Sequence, residues 1–157
     1  MTRFFDLDEA NAALPEVRTI LEGLRDERAE LIRLRDEVLK LEQPAGAPSA
    51  TPTEANVGGS GRGADPATSD EPDERDAERR VLRLRMQGVI DRMQAGVVRI
   101  DELGVTLREI ETGLIDFPAL ASGQQIWLCW RLGEGDIEHW HELSEGFGGR
   151  HPLAELT

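Results

Sequence analysis

The sequence has few cysteines and few aromatic residues, and both shortages limit the class of protein. Among 157 residues there are one cysteine, no tyrosine, three tryptophans and four phenylalanines. A single cysteine cannot form an internal disulfide bond, which excludes a small secreted domain stabilised by disulfides. Because aromatic residues make up 4% of the chain and hydrophobic residues 39%, the core has to be largely aliphatic. Such a core favours packed helices over an all-β sandwich.

Long apolar segments are missing as well. No apolar run approaches the roughly 20 residues that a helix needs to cross a bilayer, and the stretch "MTRFFDLDEAN" lacks the apolar region of a signal peptide. We therefore expect a soluble, cytoplasmic protein. The net charge of −13 repels phosphate backbones, and the arginines alternate with acidic residues. We expect no nucleic-acid partner and no membrane association.

Two segments have the hydrophobic pattern of long helices. Residues 1–42 predict a short helix followed by a long one that begins at Pro15, and residues 76–104 predict a second long helix that Gly104 ends. In both, apolar residues recur at alternating three- and four-residue steps, as in a coiled coil. These apolar residues are Val17, Ile20, Leu24, Leu31, Leu34, Val38 and Leu41 in the first helix, and Leu82, Met86, Val89, Met93, Ile100 and Leu103 in the second.

The two helices are separated by a segment of different composition. Residues 43–75 contain five of the chain's eight prolines and little apolar surface, so we predict a disordered linker. This length allows the helices to pair within one chain as an antiparallel hairpin or to pair between two chains. The sequence is therefore compatible with a homodimer, or with a protein partner bound through the helices. Gly96 replaces one large residue of the second apolar series, and we interpret it as a point of close helix approach.

After residue 104 the hydrophobic period becomes that of β-strands. The segments "VTLREIETGLIDFPAL", "QQIWLCWRL" and "DIEHWHEL" predict two or three short strands separated by turns. We expect residues 105–157 to form a small antiparallel sheet that packs on one end of the helical hairpin. Residues 1–157 are then a single α+β domain, with a long, coiled-coil-like antiparallel helical hairpin and a small carboxyl-terminal sheet.

The stretch "LCWRLGEGDIEHWHE", residues 128–142, contains the only cysteine and two of the three histidines. Two registers of this hairpin are compatible with the sequence. If the loop is residues 133–135, Cys129 lies opposite His139 and the thiol and both imidazoles share one face. If the loop has one residue more, Cys129 lies opposite Trp140 and the histidines join the other face.

A thiolate and imidazoles on one face are ligands for a transition metal such as Zn, Fe or Ni. The candidate metal ligands are Cys129, His141, Glu134 and His139, and Asp116 or His151 could complete the shell. Their spacing is not an established metal motif, so a second interpretation stays open. In it Cys129 is a small buried side chain and His141 is a hydrogen-bonded sheet residue. A thiolate–imidazolium pair in cysteine-based catalysis is the third interpretation.

Asp116 and Arg150 are candidates for ligand binding. Asp116 is the one acid in the otherwise apolar run "GLIDFP", where it could bind Arg150 or a metal ion. Arg150 follows the glycines of "GFGGR" and could hold a carboxylate or phosphate through two hydrogen bonds. A buried pairing of Arg150 with Asp116 or Glu134 is the alternative.

The segments "DLDEANAALPEV", "GLIDFPAL" and "LCWRLGEGDIEHWHELSEGFGGRHPL" resemble the bacterial domain-of-unknown-function family numbered 2203. The matching positions include Cys129, Glu134, His141 and Arg150, whereas His139 lies outside the motif. The resemblance implies no established activity, and whether the protein is an enzyme stays open. We predict a non-enzymatic helical interaction or scaffold module. The alternative is a transition-metal-binding protein or metalloenzyme that uses the Cys/His/acid cluster.

Overall fold

The fold is described by a computed structural model for residues 2–43 and 74–156. Two long helices and a five-stranded antiparallel sheet form the α+β architecture that the sequence predicts, but the sheet has five strands instead of the predicted two or three. The helices are α1 (Leu7–Glu42) and α2 (Glu74–Glu102), and the strands are β1 (Thr106–Glu109), β2 (Leu114–Ala121), β3 (Gln124–Arg131), β4 (His139–His141) and β5 (His151–Pro152). The predicted linker, residues 43–75, lies outside the described residues except at its two ends.

The first helix is one continuous element, so the predicted break before Pro15 is wrong. Asp6 begins the helix by accepting a hydrogen bond from the backbone N–H of Glu9 at 2.7 Å, and α1 then continues through Pro15. A proline inside a helix costs about 3 kcal/mol or more, because it removes a backbone hydrogen bond and crowds the preceding turn. The buried side chains of Leu14 and Val17, on either side of the proline, pack into the core and offset this cost.

The helices pair within the chain as an antiparallel hairpin. Arg99, near the end of α2, lies 2.6 Å from Glu16 near the start of α1. The opposite ends meet as well, because Arg83 of α2 lies 3.4 Å from Glu42 at the end of α1. Within the described parts of the chain, neither helix has the length and apolarity required to cross a membrane.

Gly96 lies against α1, at a position where the sequence predicts a small residue, and its substitution is a sensitive test of helix packing. A Cβ atom at Gly96 would be 2.9 Å from the Leu24 side chain, whereas one at Gly88 would meet only the far end of Arg92, at 3.6 Å. We expect Gly88→Ala to raise the free energy of unfolding by about 0.5–1 kcal/mol through helix propensity. Gly96→Ala should lower it by about 1–2 kcal/mol through overpacking. Urea denaturation measures the free energy of unfolding of both variants. An equal increase in the two would contradict the close approach of Gly96 to Leu24.

The sheet has one apolar face and one polar face. Its strands lie in the order β1-β2-β3-β4-β5, each antiparallel to the next. One face, which includes Phe117 and Trp130, packs into the same buried cluster as α1 and the end of α2. Adjacent residues of a strand point to opposite faces. Asp116 of β2 and Cys129 of β3 therefore lie on the face that points away from the helices.

The register of β3 and β4 is the one that places the thiol and both imidazoles on one face. Cys129 lies opposite His139, and Trp127 lies opposite His141. The tight three-residue loop does not form, because the strands end at Arg131 and resume only at His139. Residues 132–138 instead form a longer connection.

Side chains from elsewhere in the fold hold that connection in place. The indole N–H of Trp130 donates to the backbone oxygen of Gly135 at 2.8 Å. The side-chain oxygen of Asn11, on α1, accepts from the backbone N–H of Ile137 at 2.8 Å. The helix therefore helps to determine where β4 begins, and with it which residues of β4 face Cys129.

Candidate metal centre

Three buried side chains from three adjacent strands converge on the polar face of the sheet. Asp116 of β2 lies directly opposite Cys129 of β3, and His141 of β4 lies diagonally across from Cys129. The three residues are 1–2% exposed. A carboxylate oxygen, the thiol sulfur and an imidazole nitrogen lie within 4.8 Å of one another. These are donor types that bind Zn²⁺ and related transition metals.

The contact between Asp116 and His141 is short but is not a hydrogen bond. Nε2 of His141 lies 3.0 Å from Oδ1 of Asp116, yet Oδ1 has no hydrogen-bond partner among the residues that the structure describes. A buried acceptor without a partner costs about 1–3 kcal/mol, and a charged one costs more. Two donors bound tetrahedrally to one Zn²⁺ ion at about 2.0–2.1 Å are separated by roughly 3.3–3.4 Å. The observed 3.0 Å is a few tenths of an ångström shorter, so the two atoms would have to move apart slightly to bind a common ion.

The remaining polar atoms of both residues are fixed by hydrogen bonds. Nε of Arg108 donates to Oδ2 of Asp116 at 2.8 Å. Nδ1 of His141 lies 2.9 Å from the backbone oxygen of Glu142. Because a carbonyl oxygen only accepts, we assign the proton of the neutral ring to Nδ1, which leaves the Nε2 lone pair for a metal. Outer hydrogen bonds of this kind orient metal ligands in proteins.

Arg108 shares the face of the sheet on which Asp116 lies. Thr106 pairs with Asp116, and Arg108, two residues further along β1, points to the same face. The pairing of β1 with β2 shifts between Leu107 and Glu109, and the guanidinium lies over the ring of Trp127, 4.9 Å from its centre. Arg108 could not be predicted as a site residue, since only the strand pairing brings it to the acid.

Cys129 is protonated when no metal ion is bound. Burial raises the pKa of its thiol to about 12, and the negative charge of Asp116 contributes to the rise. Because the thiolate is the nucleophilic form, this environment disfavours cysteine-based catalysis near neutral pH. A coordinating metal ion deprotonates a thiol outright, so the same environment is compatible with a metal ligand.

A cavity of about 290 Å³ adjoins the three side chains. The segment that follows β4 covers part of it. Besides Asp116, Cys129 and His141, the cavity is lined by Arg108, Leu114, Leu143, Glu145, Gly146 and Phe147. The converging donors thus face a space that can admit a further ligand.

Two predicted metal ligands and one predicted ligand-binding residue lie together elsewhere. Nη2 of Arg150 is 2.8 Å from both carboxylate oxygens of Glu134 and 3.0 Å from Nδ1 of His139. It also donates to the backbone oxygen of Cys129 at 3.4 Å. Glu134 and His139 are therefore placed against Arg150, outside the group of Asp116, Cys129 and His141. The paired partner of Arg150 is Glu134, one of the two acids that the sequence analysis proposed.

His151, the other histidine considered as a completing ligand, is also engaged. Its Nε2 lies 3.2 Å from Oε2 of Glu145, and its ring lies 4.9 Å from that of Trp140. The same Oε2 accepts from the backbone N–H of Glu142 at 3.4 Å. These contacts hold Glu145 at the side of the cavity.

A comparison with protein families matches nearly the whole chain. The family model described as "Uncharacterized conserved protein (DUF2203)" matches residues 3–153. The chain belongs to this family. In this DUF2203 protein the match includes both helices, all five strands and the three converging side chains, and it confirms the resemblance seen in the sequence. No curated protein and no solved structure matches the chain.

Proposed function

We propose that this DUF2203 protein binds one transition-metal ion, Zn²⁺ by preference, through Asp116, Cys129 and His141. The observation that carries the proposal is Oδ1 of Asp116, a buried carboxylate oxygen without a hydrogen-bond partner among the described residues that lies 3.0 Å from Nε2 of His141. A metal ion would satisfy both atoms together with the sulfur of Cys129. One sulfur, one nitrogen and one oxygen donor form a set that suits Zn²⁺.

A metal-free network explains the same geometry less well. Without a metal, Nε2 of His141 has to donate a hydrogen bond to Asp116. That arrangement requires an aligned hydrogen bond, and the two residues are close without making one. In that network the thiol of Cys129, which is 1% exposed, contributes only a hydrogen bond to Asp116.

Three protein ligands beside a cavity favour a site with an open coordination position. Structural zinc sites have four protein ligands, whereas catalytic sites keep one position for water or substrate. The arrangement therefore supports a metalloenzyme or a metal-handling protein more than a structural site. A reduced cysteine as a ligand is consistent with a cytoplasmic location.

Elemental analysis of the full chain, purified without an affinity tag and reconstituted with Zn²⁺, tests the proposal. We expect one ion per chain in the wild type, and loss of the ion in Cys129→Ser and in His141→Ala. His139→Ala is the matched control, because this histidine lies on the same strand outside the group and should retain the ion. A folded wild type that takes up no metal would overturn the proposal, and so would retention of metal in His141→Ala.

The helices support a second candidate function, the non-enzymatic interaction or scaffold module. An apolar groove of about 510 Å³ lies between α1, α2 and the connection from β1 to β2, lined by Leu31, Ile90, Met93, Gln94, Val97, Val98 and Ile110. Val98 is 54% exposed, and contiguous exposed apolar surface is typical of interaction sites. Sedimentation velocity of the wild type and of Val98→Glu tests self-association through this groove. The two functions use different residues and are compatible.

A further inference from the structure

We infer that the open position of the proposed metal centre takes the carboxylate of a small organic acid, and that Arg108 holds the same carboxylate. This inference rests on the proposed metal site and specifies its ligand. Four observations support it: the free donors of Arg108, the charge balance of the centre, the size and lining of the cavity, and the contacts of Glu145.

Arg108 has unused hydrogen-bond donors at the cavity. Its Nε is committed to Asp116, and this is the one hydrogen bond that its side chain makes within residues 2–43 and 74–156. Its two Nη groups therefore have donors available, and the side chain is 42% exposed and lines the cavity. A guanidinium presents paired N–H groups whose geometry matches a carboxylate.

The charges at the centre favour a monoanion. The two positive charges of Zn²⁺ are balanced by the carboxylate of Asp116 and the thiolate of Cys129, while His141 binds as the neutral imidazole. Arg108 adds a positive charge next to the metal ion, and Glu145 is the one acidic residue in the rest of the cavity lining. A carboxylate held between the metal ion and Arg108 therefore contacts two cationic groups at once.

The cavity has the size and lining for a small acid with an apolar body. About 290 Å³ lies just below the range of roughly 300–1,000 Å³ that is common for pockets that bind drug-sized molecules. Leu114, Leu143 and Phe147 supply apolar walls next to the polar end. A bare inorganic anion leaves these apolar walls without a contact.

Glu145 is the one lining residue that could instead close the coordination shell as a fourth protein ligand. Its Oε2 is already bound by His151 at 3.2 Å and by the backbone N–H of Glu142 at 3.4 Å. These hydrogen bonds hold its carboxylate at the side of the cavity. We therefore assign the open position to an external ligand rather than to Glu145.

Titration of the Co²⁺-loaded full chain with butanoate tests this ligand. Co²⁺ occupies zinc sites, and its visible absorption changes when its ligands change. We expect a saturable change with butanoate and none with butanamide, which has nearly the same shape but no charge. In metal-saturated Arg108→Gln, butanoate binding should weaken at least about tenfold. Arg28→Gln removes the same charge from α1, where the side chain lies 3.8 Å from Glu111 and outside the cavity lining, and this variant should bind as the wild type does.

The outcomes separate this inference from the metal proposal. Failure of the wild type to bind Co²⁺ stoichiometrically overturns the metal site before any acid is added. Stoichiometric Co²⁺ with a spectrum that butanoate leaves unchanged shows a closed shell and overturns the inference alone. Inorganic phosphate that saturates the site in place of butanoate, or equal weakening in Arg108→Gln and Arg28→Gln, also overturns it.

Discussion

Zn²⁺ at about a thousand times its dissociation constant is expected to raise the melting temperature of the metal-free protein by about 8–16 °C. A ligand at that concentration that binds only the folded state stabilises it by about 4 kcal/mol. For a chain of this size each kcal/mol corresponds to roughly 2–4 °C. The three ligands come from β2, β3 and β4, so the unfolded chain does not present them together. Thermal unfolding followed by circular dichroism measures the shift.

Substitution of single ligands identifies the source of that shift. Cys129→Ser and His141→Ala should melt at the same temperature with and without Zn²⁺, because each removes one of three ligands. His139→Ala should keep the full shift, since His139 contacts Arg150 instead of the centre. A shift of equal size in His141→Ala and the wild type would show that the ion binds elsewhere.

Gly113→Ala is expected to lower the free energy of unfolding by about 3 kcal/mol or more. Gly113 lies in the turn between β1 and β2 with φ = +66°, a conformation that costs other residues about 1–2 kcal/mol. A Cβ atom at this position would also overlap the side chain of Leu132, so the turn or the start of the β3–β4 connection would have to move. Urea denaturation gives the difference from the wild type.

Gly123→Ala separates the two causes of this loss. Gly123 has a similar backbone conformation, φ = +77°, but a Cβ atom there would meet nothing within 4 Å. It should cost only the backbone strain of about 1–2 kcal/mol. The backbone N–H of Leu132 donates to the oxygen of Gly113 at 3.1 Å, so displacement of this turn should also weaken Zn²⁺ binding. Equal losses in the two variants would contradict the packing of Leu132 on Gly113.

The helices could be predicted because their apolar residues repeat over many turns. Val17 and Leu24 on α1 and Val89 on α2 are buried as the pattern indicates, and the small residue at Gly96 faces Leu24. The break at Pro15 was wrong because a local rule cannot weigh the packing on both sides of the proline. Tertiary contacts of this kind override local preference.

The site could be predicted only in part. Asp116, Cys129 and His141 were all proposed from the chemistry of their side chains, but the sequence left the hairpin register open. The register depends on contacts far along the chain, such as Asn11 with Ile137. Arg108 had no local signal, because the pairing of β1 with β2 brings it to Asp116. The sequence also could not predict that His139 lies outside the group, because this depends on the position of Arg150, which His139 contacts.

The most direct measurement is an anomalous difference map from a crystal of the Zn²⁺-loaded protein, recorded on both sides of the zinc absorption edge. We expect one peak, about 2.0–2.3 Å from Oδ1 of Asp116, Sγ of Cys129 and Nε2 of His141. An ordered site without a peak there, or a single peak between Glu134 and His139, would contradict it.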